Sequence, residues 1–291
     1  MRYQSSDEDS ARWDGFVFRP GDIVISTRSK SGTTWAQMIC ALLVFQTAEL
    51  PAPLSSLSPW LDWLIVPRAD VIARLDAQRH RRFIKTHTPL DGLPLDPQAT
   101  FIVVARHPLD MAVSLFHQSR NLNRERIAEL TGTPLGRPTK TVEAPPMHDS
   151  LVAWIEREVA PADALDSLPG VLWHLRDAWE RRDQGNVLLL HYADLSADLE
   201  GSMRALADRL GIVVPEERWP ELVTAAGFDQ MRAKAKDLAP DPSGIMKDVN
   251  AFFRRGSSGS GRELLTDDEY ASYVKRAAEL APPDLLTWLH R

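Results

Sequence analysis

Hydrophobic and polar positions along the chain come in two alternating kinds of run. Ile23-Val24-Ile25 is a β-branched block with no polar alternation, the pattern of a strand buried on both faces. Residues 35–45 are apolar at helical spacing and free of Gly and Pro, and the small, polar turn 29–34 precedes them. The scheme returns at Thr100–Ala105, a solid β-rich run, followed by Arg106-His107-Pro108 and a helical pattern over 109–121. Pro108 suits the first turn of that helix. Residues 82–89 read as a further strand ended by Pro89, and 187–192 as another, behind an amphipathic helix over 170–184. Shorter helices are predicted at 71–78, 197–210, 217–226 and 229–236. Thr266-Asp-Asp-Glu269 is a capping box that opens a helix to about Leu280. Strands alternating with helices predict an α/β fold of three layers, a central, mostly parallel sheet with helices on both faces. One domain is expected over residues 1–291.

The remaining stretches lack periodicity. Residues 1–20 read as a polar, partly ordered arm ending in the turn Arg19-Pro20-Gly21. Residues 51–67 form a Pro-rich connection carrying Trp60 and Trp63, either core packing or a pocket wall. Residues 121–149 hold Pro134, Gly136, Pro138, Pro145 and Pro146, and a loop that long within a compact domain is usually functional or mobile. Residues 241–261 are loop-like.

Composition narrows the function classes. The apolar fraction of 44% allows a sizeable core, while a net charge of −6 argues against a broad nucleic-acid or anionic-membrane surface. Anion binding must then come from a local basic cluster. A single cysteine, Cys40, excludes an internal disulfide and a cysteine zinc cluster. The acidic start does not resemble a signal peptide and no run approaches a membrane span, so a cytoplasmic location is expected.

Strand, Gly-containing turn and helix start together make an anion site, because the unpaired N–H groups of the first helical turn face the loop. Lys30 adds a cation, and Thr33 and Thr34 add hydroxyl donors. The nucleotide-triphosphate loop places Lys after its last Gly, whereas here Lys30 precedes Gly32, which disfavours a kinase or ATPase. Arg106 ends a strand and Ser114 lies eight residues on, a guanidinium fork and a hydroxyl that suit a terminal phosphate. Arg254-Arg255-Gly256 is a third basic site. No carboxylate cluster has metal-ligand spacing, and no metal is expected.

Four strings taken together resemble the cytosolic-type sulfotransferases, which use 3′-phosphoadenosine 5′-phosphosulfate (PAPS). K-S-G-T-T-W, from Lys30, resembles their 5′-phosphosulfate loop, and F-I-K-T-H-T-P-L, from Phe83, the strand bearing their catalytic histidine. V-A-R-H-P-L-D-M-A-V-S, from Val104, and R-R-G-S-S-G, from Arg254, are similar to their two 3′-phosphate motifs. The likeness goes furthest with bacterial glycolipid sulfotransferases, through Ser58-Pro-Trp-Leu-Asp62 and the extended R-R-F-I-K-T-H-T-P-L-D-G-L.

The resemblance implies roles residue by residue. His87 would be the general base, with Lys30 at the bridging oxygen and Lys85 as an electrostatic neighbour. Ser31, Gly32, Thr33 and Thr34 would hold the 5′-phosphate, and Trp35, Tyr192 and Phe228 would meet adenine. Arg106, Ser114, Arg254, Arg255 and Gly256 would take the 3′-phosphate, with Phe253 beside them. Trp60, Trp63 and His174 would line the acceptor pocket, with residues 121–149 as its lid, and His174 is the only rival base. His80 and His290 are expected at the surface. The chain departs from the family pattern where Gly259-Ser260-Gly261-Arg262 replaces G-D-W-K, and where the dimer motif is not reproduced around Asp267 and Ala271. The implied activity is transfer of a sulfuryl group from PAPS, giving PAP, to an acceptor hydroxyl, with glycolipid, phenol and alcohol acceptors all open. A nucleotide kinase and a non-catalytic adenosine-bisphosphate-binding protein are the alternatives.

Overall fold

A four-stranded sheet in the order β2-β1-β3-β4 sets the position of everything else, with every neighbouring pair parallel. Its strands are β1 (Ile23–Ser26), β2 (Phe83–Thr86), β3 (Thr100–Ala105) and β4 (Val187–His191). The computed structural model describes residues 1–132, 145–241, 243–254, 256 and 258–291. β1 is buried at all four positions because alternate residues feed two different cores. Val24, Ile84, Phe101 and Val103 face a core built with the helices Leu168–Glu180 and Asp267–Leu280. Ile23, Ile25, Phe83, Ile102 and Val104 face the other, which includes α1 (Thr33–Phe45) and the helix Leu199–Leu210. A third apolar group, Trp63, Ile65, Ile127, Ala239, Ile245 and Met246, lies apart from both. The expected three-layer α/β architecture is the one found.

Several local expectations need correction. The arm at 1–20 is packed, with Trp13 fully buried and the Tyr3 hydroxyl donating to Asp91 at 2.7 Å. Arg12 turns inward and donates to the Trp63 and Val66 carbonyls, which a polarity pattern cannot reveal. Residues 121–149 are not one loop: helices Arg124–Thr131 and Met147–Glu156 occupy its two ends, and its central residues, 133–144, lie outside the described residues. Asn123 caps the first of these by accepting from the Arg126 N–H. A further helix, Pro283–Leu289, follows the capped helix Asp267–Leu280. It buries Leu285 and Leu289 and holds His290 against the Tyr273 hydroxyl at 2.8 Å, so His290 is not a plain surface residue.

Candidate active site

The turn at residues 29–32 forms where β1 gives way to α1. Lys30 and Gly32 both adopt positive φ, 66° and 112°, which turns successive backbone groups inward. A Cβ at Gly32 would come within 3.2 Å of Tyr192 and 3.3 Å of Val104, so the position needs glycine for space as well as conformation. The Thr27 and Thr33 hydroxyls bond across the base of the turn. α1 begins at Thr33 with no side-chain cap, leaving its first N–H groups facing the loop.

One cavity of about 280 Å³ opens beside this turn. Lys30, Gly32, Thr33, Thr34 and Trp35 line it from the turn and α1. Lys85 and His87 enter from the end of β2, and Arg106 and Ser114 from the end of β3 and the helix behind it. Tyr192, Phe228, Phe253, Arg254 and Gly256 close one end, and Trp60 and Trp63 stand at the other. Two expected residues lie elsewhere. Ser31 is buried but does not line the cavity, and its backbone N–H donates to the Arg28 carbonyl at 3.2 Å. His174 is fully buried behind β1, where Nε2 meets Ser26 Oγ at 3.2 Å. The expected placement of His174 on the acceptor wall is therefore wrong, because helix Leu168–Glu180 turns it into the sheet. Of the two candidate bases only His87 reaches the cavity. Arg255 lies outside the described residues.

The His87 ring has a defined tautomer. Its Nδ1 contacts the Thr27 carbonyl, which can only accept, so Nδ1 carries the proton and Nε2 keeps its lone pair. Burial, with Lys85 and Arg28 nearby, pushes its pKa well below the ordinary imidazole value, so the ring is neutral at pH 7. Asp62 orders the same chain segment by accepting from the Thr88 hydroxyl at 2.6 Å and from the Thr86 hydroxyl. Arg28 donates to the His87 carbonyl and, at 2.6 Å, to Asp166. Sequence reasoning assigned neither Arg28 nor Asp62 a role; Arg28 stands two residues before Lys30, a signal that was there to read.

The cations are crowded together. Lys30 is pushed down to about 7 by burial and by Arg106, Lys85 and Arg254, and its ammonium rests 3.8 Å above the Phe252 ring. Lys85 is pushed down to about 8, chiefly by burial, and sits 3.6 Å over Trp60. Arg106 stacks 4.5 Å from the Tyr192 ring, whose other neighbour is Trp35 at 5.0 Å. Gly256 packs so closely on Phe228 that a Cβ would meet the ring at 2.6 Å. The loop that follows is tied down by Asp110, which accepts from the N–H groups of Gly259 (2.8 Å) and Gly261 (2.9 Å). Gly259 and Gly261 are thus held, with Gly261 standing where the resembled motif has Trp.

The far end is apolar and aromatic. Trp60 stacks on Trp63 at 4.8 Å and meets the His87 ring edge-on at 4.7 Å. Ile65, Leu122, Ile127, Ile245 and Met246 continue that wall, none of them singled out by sequence reasoning. Among the described residues, no helix is long and apolar enough to cross a membrane.

Comparison with known proteins gives a consistent picture. A family model described as a sulfotransferase domain matches residues 20–280. The chain is 43% identical to a glycolipid sulfotransferase of Mycobacterium bovis, across 99% of this chain and 93% of the relative. It is 27% identical to sulfotransferase 1A1 of Bos taurus, over 91% and 86% of the two chains. In fold it is similar to mouse sulfotransferase SULT7A1 complexed with PAP, with a TM-score of 0.71 and 21% identity, over 96% of this chain and 92% of the other. It is also similar to retinol dehydratase in complex with androsterone and PAP, with a TM-score of 0.68 and 22% identity, over 94% and 84%.

Proposed function

The chain belongs to the sulfotransferase family, and from that premise we propose that it moves a sulfuryl group from PAPS to a hydroxyl of an amphipathic acceptor, with His87 as general base. The observation that carries this reading is a single cavity in which a neutral imidazole faces the same space as the phosphate turn and three cations, Lys30, Arg106 and Arg254. Residues for the donor fit its chemistry. Backbone N–H groups of the turn suit the 5′-phosphate, and Trp35, Tyr192 and Phe228 offer aromatic surface for adenine. Arg106, Ser114 and Arg254 line the same cavity and suit a 3′-phosphate. Arg255 belongs with them by sequence alone.

His87 Nε2 takes the acceptor proton, and the freed oxygen forms a bond to sulfur as the sulfur–oxygen bond to the 5′-phosphate breaks. PAP leaves, and the imidazolium gives its proton to solvent. Sulfuryl transfer, like phosphoryl transfer, has a loose in-line transition state, so the protein chiefly positions groups and neutralises charge. Lys30, Lys85 and the α1 N-terminus do this where charge grows on the leaving phosphate. These protein charges stand in for a metal, and turnover should survive EDTA unchanged.

For the acceptor, the name of the mycobacterial relative and the apolar wall from Trp63 to Met246 support a molecule with a hydroxyl head and an apolar body. The test is a screen of lipid, sugar and phenol acceptors with labelled PAPS, comparing wild type with His87→Ala. Transfer that vanishes in the variant while PAP still binds supports the reading; full transfer by the variant refutes it.

A further inference from the structure

Two strands of the sheet end beside histidines that the active site does not use. β3 and β4 stop level with each other, Ala105 pairing with His191. The next residue on each enters the cavity, Arg106 after β3 and Tyr192 after β4. Those two side chains lean on one another, the guanidinium 4.5 Å from the phenol ring. Tyr192 also meets Trp35 at 5.0 Å and packs against Gly32. Whatever fixes Tyr192 therefore fixes Arg106, Trp35 and the turn with it.

Each strand tip carries a histidine cap. His191 Nδ1 accepts from the Ala193 N–H at 3.1 Å and opens the helix Tyr192–Ala197. His107 Nδ1 accepts from the Leu109 N–H at 3.3 Å and opens the helix Pro108–Asn121, which bears Ser114. A cap of this kind needs Nδ1 unprotonated. Burial lowers the pKa of both rings, His107 to about 4, so each keeps that lone pair at pH 7. The other nitrogen of His191 is committed as well. Its Nε2 faces the Leu289 carbonyl at 3.2 Å, and since a carbonyl can only accept, Nε2 carries the proton and donates. Trp288 meets the same ring edge-on at 5.0 Å. His290 lies 5.0 Å from the His107 ring while bonded to the Tyr273 hydroxyl. Residues 288–290 thus touch both caps, and neither they nor the caps line the cavity. An apolar side chain could fill either histidine's place but would leave an N–H of the first helical turn unpaired.

We propose that His191 and His107 are positioning residues for the donor: braced by residues 288–290, they hold Tyr192 and Arg106 in the arrangement that grips a 3′-phosphorylated adenosine. This rests on the donor reading given under the proposed function. A strand tip held loosely is in place for only a fraction of the time, and apparent affinity falls by that fraction.

PAP affinity by calorimetry reads this without any acceptor, and a binding stoichiometry near that of wild type shows that a variant is folded. His191→Ala should weaken PAP binding about fivefold, the worth of one helix cap. His191→Asn, which offers an oxygen to the Ala193 N–H, should recover much of that loss. In a Tyr192→Ala background the His191→Ala change should cost about twofold at most, because the residue it acts through is gone. Leu75→Ala, at a fully buried position outside the cavity lining, should lower the melting temperature and leave PAP affinity unchanged. His107→Ala, at a less buried position, carries the same test should His191→Ala not fold, its loss disappearing in an Arg106→Ala background. Unchanged affinity in the histidine variants, no recovery with asparagine, an equal loss in the Leu75 variant, or the full loss without Tyr192 would overturn the inference. Wild-type protein that does not bind PAP would instead overturn the donor reading, and this inference with it.

Discussion

The two ends of the cavity are built from different material. At the proposed donor end, Lys30, Lys85, Arg106 and Tyr192 sit at or just beyond the tips of parallel strands, and the turn before α1 completes the group. At the proposed acceptor end the wall comes from the N-terminal arm, the Pro-rich connection after α1, the helix Arg124–Thr131 and the stretch around Met246. The tips belong to strands paired in one parallel sheet, β1 and β3 on both sides, whereas the connecting segments are held by isolated bridges and side-chain contacts. On the proposed assignment, charge recognition would be anchored in the sheet, and acceptor recognition could change without disturbing it.

The comparison can be tested from its centre outward. His87 stands where the ends meet, and His87→Ala should cost about 10²–10⁴-fold in transfer with PAP affinity changed less than threefold, read by initial rates and calorimetry. At the donor end, Arg106→Ala should weaken PAP binding about 10–100-fold, as expected for lost charge-assisted hydrogen bonds, and leave acceptor KM unaltered. At the acceptor end, Trp63→Ala should raise acceptor KM about tenfold and leave PAP affinity alone. Parallel changes in both parameters for either variant would erase the division.

The smallest effect is one of pH. Lys30 and Lys85, pushed down to about 7 and about 8, lose charge as pH rises through those values in the free protein. A bound anion favours their protonated forms, so PAP binding at pH 8 should take up protons and weaken from pH 7 to 9. Calorimetry in buffers of different ionisation enthalpy measures this uptake directly. On the acid side the lowered pKa of His87 has the opposite consequence. The imidazole stays neutral below its ordinary range, so transfer should persist at pH 6 without the decline expected of a free histidine.

Legibility in the sequence followed the same division. β1, β3, α1 and the cap at Thr266 were readable because unbroken β-branched runs, helical spacing and capping chemistry are local. The turn at Lys30, the strand at His87 and the basic pair at Arg106 and Arg254 were readable as motifs, and the fold brings them to one cavity. Asp7 and Glu8, which line the cavity, were not legible, since a carboxylate in an acidic arm looks the same whether it faces bulk solvent or a cleft. His174 misled for a related reason: a helix period says which face a residue is on but not what that face meets. The helix Pro283–Leu289 was hidden by its short length and by Pro282 and Pro283, which read as an end and here start a new turn. The positive φ of Lys30 has no signature in a lysine.

One tether carries a consequence for turnover. Arg254 and Gly256 sit between Phe253, rooted in the core, and the glycines clasped by Asp110 on the helix that also bears Ser114. Gly259 and Gly261 are fastened at one side of the cavity and Phe253 at the other, so on the proposed reading a departing nucleotide would meet groups held at both points. The firmness of that hold, set by one aspartate a helix away, would then bear on how fast product leaves.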